Sequence, residues 1–186
     1  MEIAVIIPAF NEEKAIGNVI RDIPDYVSEI VVGNNNSTDN TAQVAEQAGA
    51  KVLFVKDKGY GYACLAGIDY FKKQVNPPEV IVFLDGDYSD YPQEMKLLIH
   101  EIQEKNVDLV IGSRTLGKRE SGSMTPQQVF GNWLATTLMK WIYGVKFTDL
   151  GPFRAVKWNA LMDMNMQDKT YGWTVEMQLK AIKLKI

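Results

Sequence analysis

Cysteine and histidine are nearly missing from this chain, with one of each among 186 residues. A single thiol, Cys64, forms no internal disulfide, which excludes a disulfide-stapled scaffold and suits a reducing cytosol. The lone histidine, His100, falls mid-helix in a polar stretch and reads as a solvated surface group. No run of Lys and Arg is longer than KR or KK, and the net charge is −3, which argues against a nucleic-acid partner. Long apolar runs are also lacking. The longest, 129–147, is interrupted by Asn132, Lys140 and Lys146, so it predicts an amphipathic helix rather than a membrane span. The N-terminal run IAVII is too short for a signal peptide and ends at Pro8, so a cytoplasmic location is expected. The segment GYGYACLAG (59–67) lacks the GxGxxG spacing of a dinucleotide loop and is expected to serve helix packing.

The composition present is that of a soluble globular domain: 46% hydrophobic and 23% charged residues, in a chain long enough to bury a full core. Short β-branched runs alternate with helical patterns, the signature of βαβ units and a parallel sheet. Strands are predicted at 3–7, 30–32, 51–55, 80–84 and 109–111, and helices at 12–23, 39–48, 60–73 and 93–105. Ser37 or Thr38 is expected to cap the second helix and Gly49 to end it, while Asp90 with Pro92 suits the start of the fourth. After Ser113 the pattern changes to a polar loop, then the aromatic helix, then a mixed segment containing DLGPFR (149–154). The expectation is one α/β domain, with a nucleotide-binding half over 1–114 running into an acceptor-facing half over 115–186.

Ligands of open parallel sheets bind outside the carboxyl ends of the strands. The unusual residues of this chain gather there: PAFNEE after the first strand, NNNSTD after the second, DGDYSD after the fourth and GSR after the fifth. In DGDYSD, Asp85 and Asp87 lie two apart, on the same side of an extended segment, and Gly86 between them has no side chain to block a substrate. Two such carboxylates suit a hard cation, Mg²⁺ or Mn²⁺, that fills its remaining positions with water and substrate phosphate. Asp-Gly-Asp is also a common turn, and Asn34–Asn36 also suit turns.

Taken together, IPAFNEE (7–13), VVGNNNSTDNT (31–41), FLDGDYSDYP (83–92), GSR (112–114) and DLGPFR resemble the family 2 glycosyltransferases of glycosyltransferase A fold. The nearest resemblance is to the branch of dolichyl-phosphate mannose synthase and bacterial polyprenyl-phosphate sugar transferases. The resemblance implies a Rossmann-like, mostly parallel sheet flanked by helices, and an inverting transfer of a hexose from a UDP- or GDP-sugar. It assigns Pro8, Ala9, Phe10 and Glu12 to the nucleotide base and ribose, and Val32 and Asn34 to the base. Asp85, Gly86 and Asp87 fall to the metal and diphosphate, and Arg114 to the phosphates or acceptor. Two departures stand out: Asn34-Asn35 replaces a carboxylate-bearing pair, and Ser89 stands where the dolichyl type carries Gln.

The implied chemistry is single displacement at the anomeric carbon, with the divalent metal stabilising charge on the departing diphosphate. Arg114, Arg119 and Arg154 are candidate clamps, because a guanidinium matches phosphate bidentately. A lipid-phosphate acceptor arrives ionised, whereas a sugar hydroxyl needs a base, for which Asp149 is the candidate; Asp149 equally suits a loop residue bonding to backbone. DLGPFR and the aromatic helix favour a polyprenyl phosphate and peripheral association at the cytoplasmic membrane face. Transfer to a hydroxyl in cell-surface polysaccharide and a non-catalytic sugar-nucleotide-binding module are the alternatives. A nucleotidyltransferase is disfavoured, since PAFNEE is neither Gly-rich nor basic. Relatives of this kind continue past residue 186, so part of the acceptor site is expected beyond this chain.

Overall fold

The structure, a computed structural model, describes residues 1–113, 126–145 and 147–186. Strands β1 (Ile3–Ala9), β2 (Glu29–Asn34), β3 (Lys51–Phe54), β4 (Val80–Phe83), β5 (Leu109–Ile111) and β6 (Arg154–Lys157) form one sheet in the order β3-β2-β1-β4-β6-β5. The pairs β3/β2, β2/β1 and β1/β4 are parallel, and β6 is antiparallel to both β4 and β5. Because β1 and β4 are covered on both faces, every one of their residues is buried and their sequences are nearly continuous in apolar residues.

Alternation along β1 divides the core in two. Ile3, Val5 and Ile7 face one layer, with helices α1 (Ile16–Asp22), α2 (Thr41–Gln47) and α4 (Met95–Lys105). Ala4 and Ile6 face the other, with α3 (Tyr60–Lys72), α6 (Trp158–Met164) and α7 (Trp173–Leu184). A buried isoleucine of this kind contributes about 1.5–3 kcal/mol relative to exposure. In the second layer α3 lies close on β1, since a Cβ on Gly67 would stand 2.7 Å from Ile6 Cγ2.

Strand β6 was not expected. It is four residues long with a charge at each end, so it shows no apolar alternation, yet it inserts between β4 and β5 and reverses direction. Its first residue, Arg154, pairs with Phe83 and Ile111, the last residues of β4 and β5. The reversal therefore carries residues 149–153 to the same carboxyl edge as the motifs after β1, β2 and β4.

Helix starts also differ from expectation. Ser37 and Thr38 do not cap α2; Ser37 Oγ accepts from Asn11 N (3.0 Å) and Thr38 N donates to Asn11 Oδ1 (2.8 Å). Asp39 serves that end instead, accepting from Thr41 N (3.0 Å) at Oδ1 and from Glu13 N (3.2 Å) at Oδ2. Thr41 Oγ1 accepts from Glu12 N (2.7 Å), so the turn leading into α1 is tied to the start of α2. Regular helix then begins at Ile16 rather than at Glu12. Gly49, with φ 98°, follows the end of α2. Pro92 opens a short 3₁₀ turn before α4, with Tyr91, not Asp90, at its cap; Asp90 is buried.

Helix α5 (Pro126–Tyr143) is the aromatic helix, and it packs against α7. Of its described side chains Met139 is buried, while Trp133, Leu134, Leu138, Trp141 and Ile142 are exposed. Among the described residues no helix is long and apolar enough to cross a membrane.

Candidate active site

A cavity of about 290 Å³ opens at the carboxyl edge of the sheet. The end of β1 supplies Pro8, Ala9, Phe10 and Glu12, and the turn after β4 supplies Asp85, Gly86 and Asp87. Asn35, Lys58, Gly59, Tyr60 and Tyr171 complete most of its wall. The two strand-end motifs meet because β1 and β4 are parallel neighbours in register, Ile6 opposite Phe83.

Gly86 sits in close packing. A Cβ there would stand 3.3 Å from Ile16 Cδ1 and 3.4 Å from Ala9 Cβ, so the β4 turn seats against the end of β1 with no side chain between them. Asp87 Oδ1 accepts from Ser89 N (2.9 Å), closing a turn in which Tyr88 adopts a left-handed φ of 64°. That region is unfavourable for a bulky residue; the Tyr88 hydroxyl is anchored to Asp22 Oδ2. Asp85 Oδ1 accepts from Tyr60 Oη at 2.9 Å.

Negative charge is concentrated here. Glu12 has its pKa raised above the usual carboxylate value by burial, then by Asp87 and Asp39. Three carboxylates, Glu12, Asp85 and Asp87, line one cavity in which Lys58 is the only basic residue among the lining residues named. The Lys58 ammonium lies 5.5 Å from the centre of the Phe10 ring, a cation–π contact. Among the described residues no group of three or more His, Cys, Asp or Glu side chains is arranged to hold a metal. Two protein carboxylates with the remaining positions left to water and phosphate is, however, the donor set that Mg²⁺ and Mn²⁺ take, so Asp85 and Asp87 fit such an ion.

Several expected site residues lie elsewhere. Arg154 is fully buried and turned inward: Nε donates to Gly151 O (3.2 Å), one terminal nitrogen to Thr174 O (3.1 Å), and the other to Leu150 O (3.3 Å) and Gly151 O. Burial lowers its pKa to about 10, against the raising influence of Tyr60, Cys64, Asp85 and Asp149, so it is a cation at neutral pH. It lies off the cavity wall, as a buried cation whose charge acts on Asp85. Asp149 is 2% exposed and does not line the cavity, and its carbonyl accepts from Gln178 Nε2 (2.8 Å). Asp149 therefore stands apart from the carboxylates that line the cavity. Val32 is buried in the core between sheet and helices. Asn34 is buried off the cavity, accepting from Ser37 N (3.2 Å); its neighbour Asn35 is the one on the wall. Arg114 and Arg119 lie outside the described residues.

Sequence reasoning missed Asn35, Lys58, Tyr60 and Tyr171. Asn35 Nδ2 donates to Asp57 O (2.7 Å) and its Oδ1 accepts from Gly59 N (2.7 Å), gripping the loop on both sides of Lys58. The available signal was KGYG: two glycines around one tyrosine at a helix start. A Cβ on Gly61 would fall 2.1 Å from Asp168 O, so the loop before α7 lies directly against this helix end and brings Tyr171 to the cavity. The same contact explains GYGYACLAG without a dinucleotide.

Comparison with known proteins bears on the fold and on the family. Glucosyl-3-phosphoglycerate synthase from Mycobacterium tuberculosis, solved with Mn²⁺, UDP-glucose and phosphoglyceric acid, superposes with a TM-score of 0.76 at 23% identity, covering 98% of this chain and 65% of that one. The architecture is thus the glycosyltransferase A fold. An uncharacterized glycosyltransferase of Mycobacterium tuberculosis is 30% identical over 186 residues, covering 96% of this chain and 78% of that protein. Glycosyltransferase AglJ of Haloferax volcanii is 29% identical over 183 residues, and this chain spans 58% of its length. The model of the family described as glycosyl transferase family 2 matches residues 4–164, and this chain belongs to that family.

Proposed function

We propose that the chain transfers a hexose from a UDP-sugar, with a divalent cation at Asp85 and Asp87. The observation that carries this reading is the cavity at the carboxyl edge whose wall holds Glu12, Asp85 and Asp87 together with Lys58. Three carboxylates repel one another, and Asp87 already raises the pKa of Glu12. A bound cation with its diphosphate relieves that repulsion. The choice of uridine follows the UDP-glucose held by the solved relative.

In this mechanism the acceptor oxygen forms its bond to the anomeric carbon as the bond from that carbon to the diphosphate breaks, and the electron pair leaves with the nucleoside diphosphate. When bound, the cation supplies charge stabilisation to that departing diphosphate. Lys58 places a second positive charge beside it, Phe10 offers an apolar face to the base, and Tyr60 keeps the carboxylate of Asp85 oriented. Asp149 and Arg154 stay behind the cavity wall.

For the acceptor, the reading is a polyprenyl phosphate, as in the dolichyl-phosphate mannose synthase branch. It is supported by the exposed apolar side chains of α5 and by the position of Asp149 away from the cavity, since a phosphate oxygen needs no base.

The test of the donor site is calorimetric titration of UDP into the protein with and without Mn²⁺. Binding that requires Mn²⁺ in the parent and is lost in Asp87→Ala, with the thermal transition of the ligand-free protein kept, is the expected result. Equal UDP affinity in parent and mutant would remove Asp87 from the metal site.

A further inference from the structure

We infer that Tyr60 is a positioning residue for the cation-binding carboxylate of Asp85, held in place by Asn35 on one side and by the 168–170 loop on the other. The inference rests on reading Asp85 and Asp87 as the metal ligands. It goes further by identifying what fixes one of those ligands and the loop that carries it.

The geometry points the same way from three directions. Tyr60 is the first residue of α3, and its hydroxyl donates to Asp85 Oδ1 at 2.9 Å across 25 positions of sequence. The backbone before it is set by Asn35, whose amide donates to Asp57 O (2.7 Å) and accepts from Gly59 N (2.7 Å). Gly59, the residue that precedes α3, has a φ of 151°, a conformation that favours glycine. Its missing side chain also matters, since a Cβ there would stand 2.2 Å from Lys169 O. The backbone after Tyr60 is pinned from the other side, where Gly61 N donates to Thr170 O (3.2 Å) and Tyr62 N to Lys169 O (3.1 Å). The phenol is therefore fixed at both ends of its own residue before it reaches Asp85.

This arrangement has a chemical consequence for the metal. A carboxylate on an exposed turn rotates about its last bond, and each rotation moves the oxygen that the cation needs. Small hard cations such as Mg²⁺ demand near-ideal octahedral geometry, whereas Ca²⁺ accepts variable geometry and coordination number. A hydrogen bond to a ligand carboxylate suppresses the rotation, and loss of such outer partners typically costs 10–100-fold in metal affinity. The cost should therefore fall more heavily on Mg²⁺ than on Ca²⁺. A residue that only filled space would leave that ratio alone.

Tyr60→Phe removes the single oxygen and keeps the ring, so the packing of α3 on the sheet is retained. The experiment titrates Mg²⁺ and, separately, Ca²⁺ into parent and Tyr60→Phe protein at fixed UDP, following UDP binding by calorimetry. Asn35→Ala serves as a second variant that loosens the same turn from the other end. The expected result is a rise of about tenfold in the Mg²⁺ concentration needed for half-maximal binding, a smaller rise for Ca²⁺, and an unchanged thermal transition without metal. Asn35→Ala should shift the same Mg²⁺ to Ca²⁺ ratio in the same direction. An unaltered Mg²⁺ requirement in Tyr60→Phe, or equal shifts for both ions, overturns the positioning role while leaving the donor site intact. A parent protein whose UDP binding ignores both ions instead overturns the metal reading, and this inference with it.

Discussion

Arg154 shows how a residue chosen for its charge is placed by its hydrogen bonds. A guanidinium has donors in a rigid fork, and those of Arg154 are directed at the carbonyls of Leu150, Gly151 and Thr174 inside the fold. Its charge lies near Asp85 and Asp149, which both raise its pKa, so the carboxylate edge of the cavity is backed by a buried cation. Removing one partner of a buried charge group costs about 3–5 kcal/mol, because the other charges are left uncompensated. Arg154→Met should therefore lower the urea-unfolding stability of the ligand-free protein by that order. A clamp for an exposed phosphate would leave the ligand-free stability almost unchanged, so an unaltered unfolding midpoint in the mutant would return Arg154 to the ligand. Residues whose place follows from a contiguous strand-end motif, such as Phe10, Glu12, Asp85 and Asp87, could be grouped from sequence because parallel strands in register bring their carboxyl ends together. Asn35 was obscured by the adjacent Asn34: chemically identical neighbours at a strand end differ only in which way the turn points them.

Among the elements, β6 and the 165–172 loop do most to shape the site, and neither has a strong local signal. Five strands and five helices could be read from the sequence pattern, β1 and β4 most directly, because strands buried on both faces are nearly continuous in apolar residues. Strand β6 owes its place to pairing with β4 and β5, a non-local effect that a run as short as RAVK does not announce. The loop before α7 is ordered in a similar way. Glu176 on α7 accepts from Gln167 N (2.9 Å) and Asp168 N (2.7 Å) and pairs with Lys180 (2.8 Å). The loop then lies against Gly61, where no Cβ fits. Gly61→Ala would force the backbone of Asp168 and Lys169 away from α3, and overpacking of this kind costs about 1–3 kcal/mol. Hydrogen exchange should consequently speed up at 167–172 in that mutant, with Tyr171 drawn off the cavity and UDP binding weakened. Parent-like exchange over those residues would show that the close approach at Gly61 is not what orders the loop.

At the scale of the whole molecule, the sheet divides the work between its edge and its flank. The carboxyl edge carries the polar cavity, while α5 presents Trp133, Leu134, Leu138, Trp141 and Ile142 outward. Positions 134, 138 and 141 fall on one helical face, and Trp141 is 90% exposed. A stripe of this kind is expected to meet an apolar surface, and a polyprenyl chain attached to the acceptor phosphate is the surface proposed here. Burying one large apolar side chain against such a chain contributes about 1.5–3 kcal/mol, which corresponds to roughly 10–100-fold in rate at subsaturating acceptor. Joint replacement Leu138→Ser with Trp141→Ser should then depress transfer to a long polyprenyl phosphate by about tenfold or more. Transfer to a short, water-soluble prenyl phosphate should hardly change, because the phosphate and the donor site are untouched. The measurement is transfer of radiolabelled sugar to the two acceptors, run beside a phosphoglycerate arm chosen from the solved relative. Equal losses on long and short chains would assign α5 to folding or assembly, and label passing only to phosphoglycerate would replace the lipid acceptor with a small hydroxyl-bearing acid.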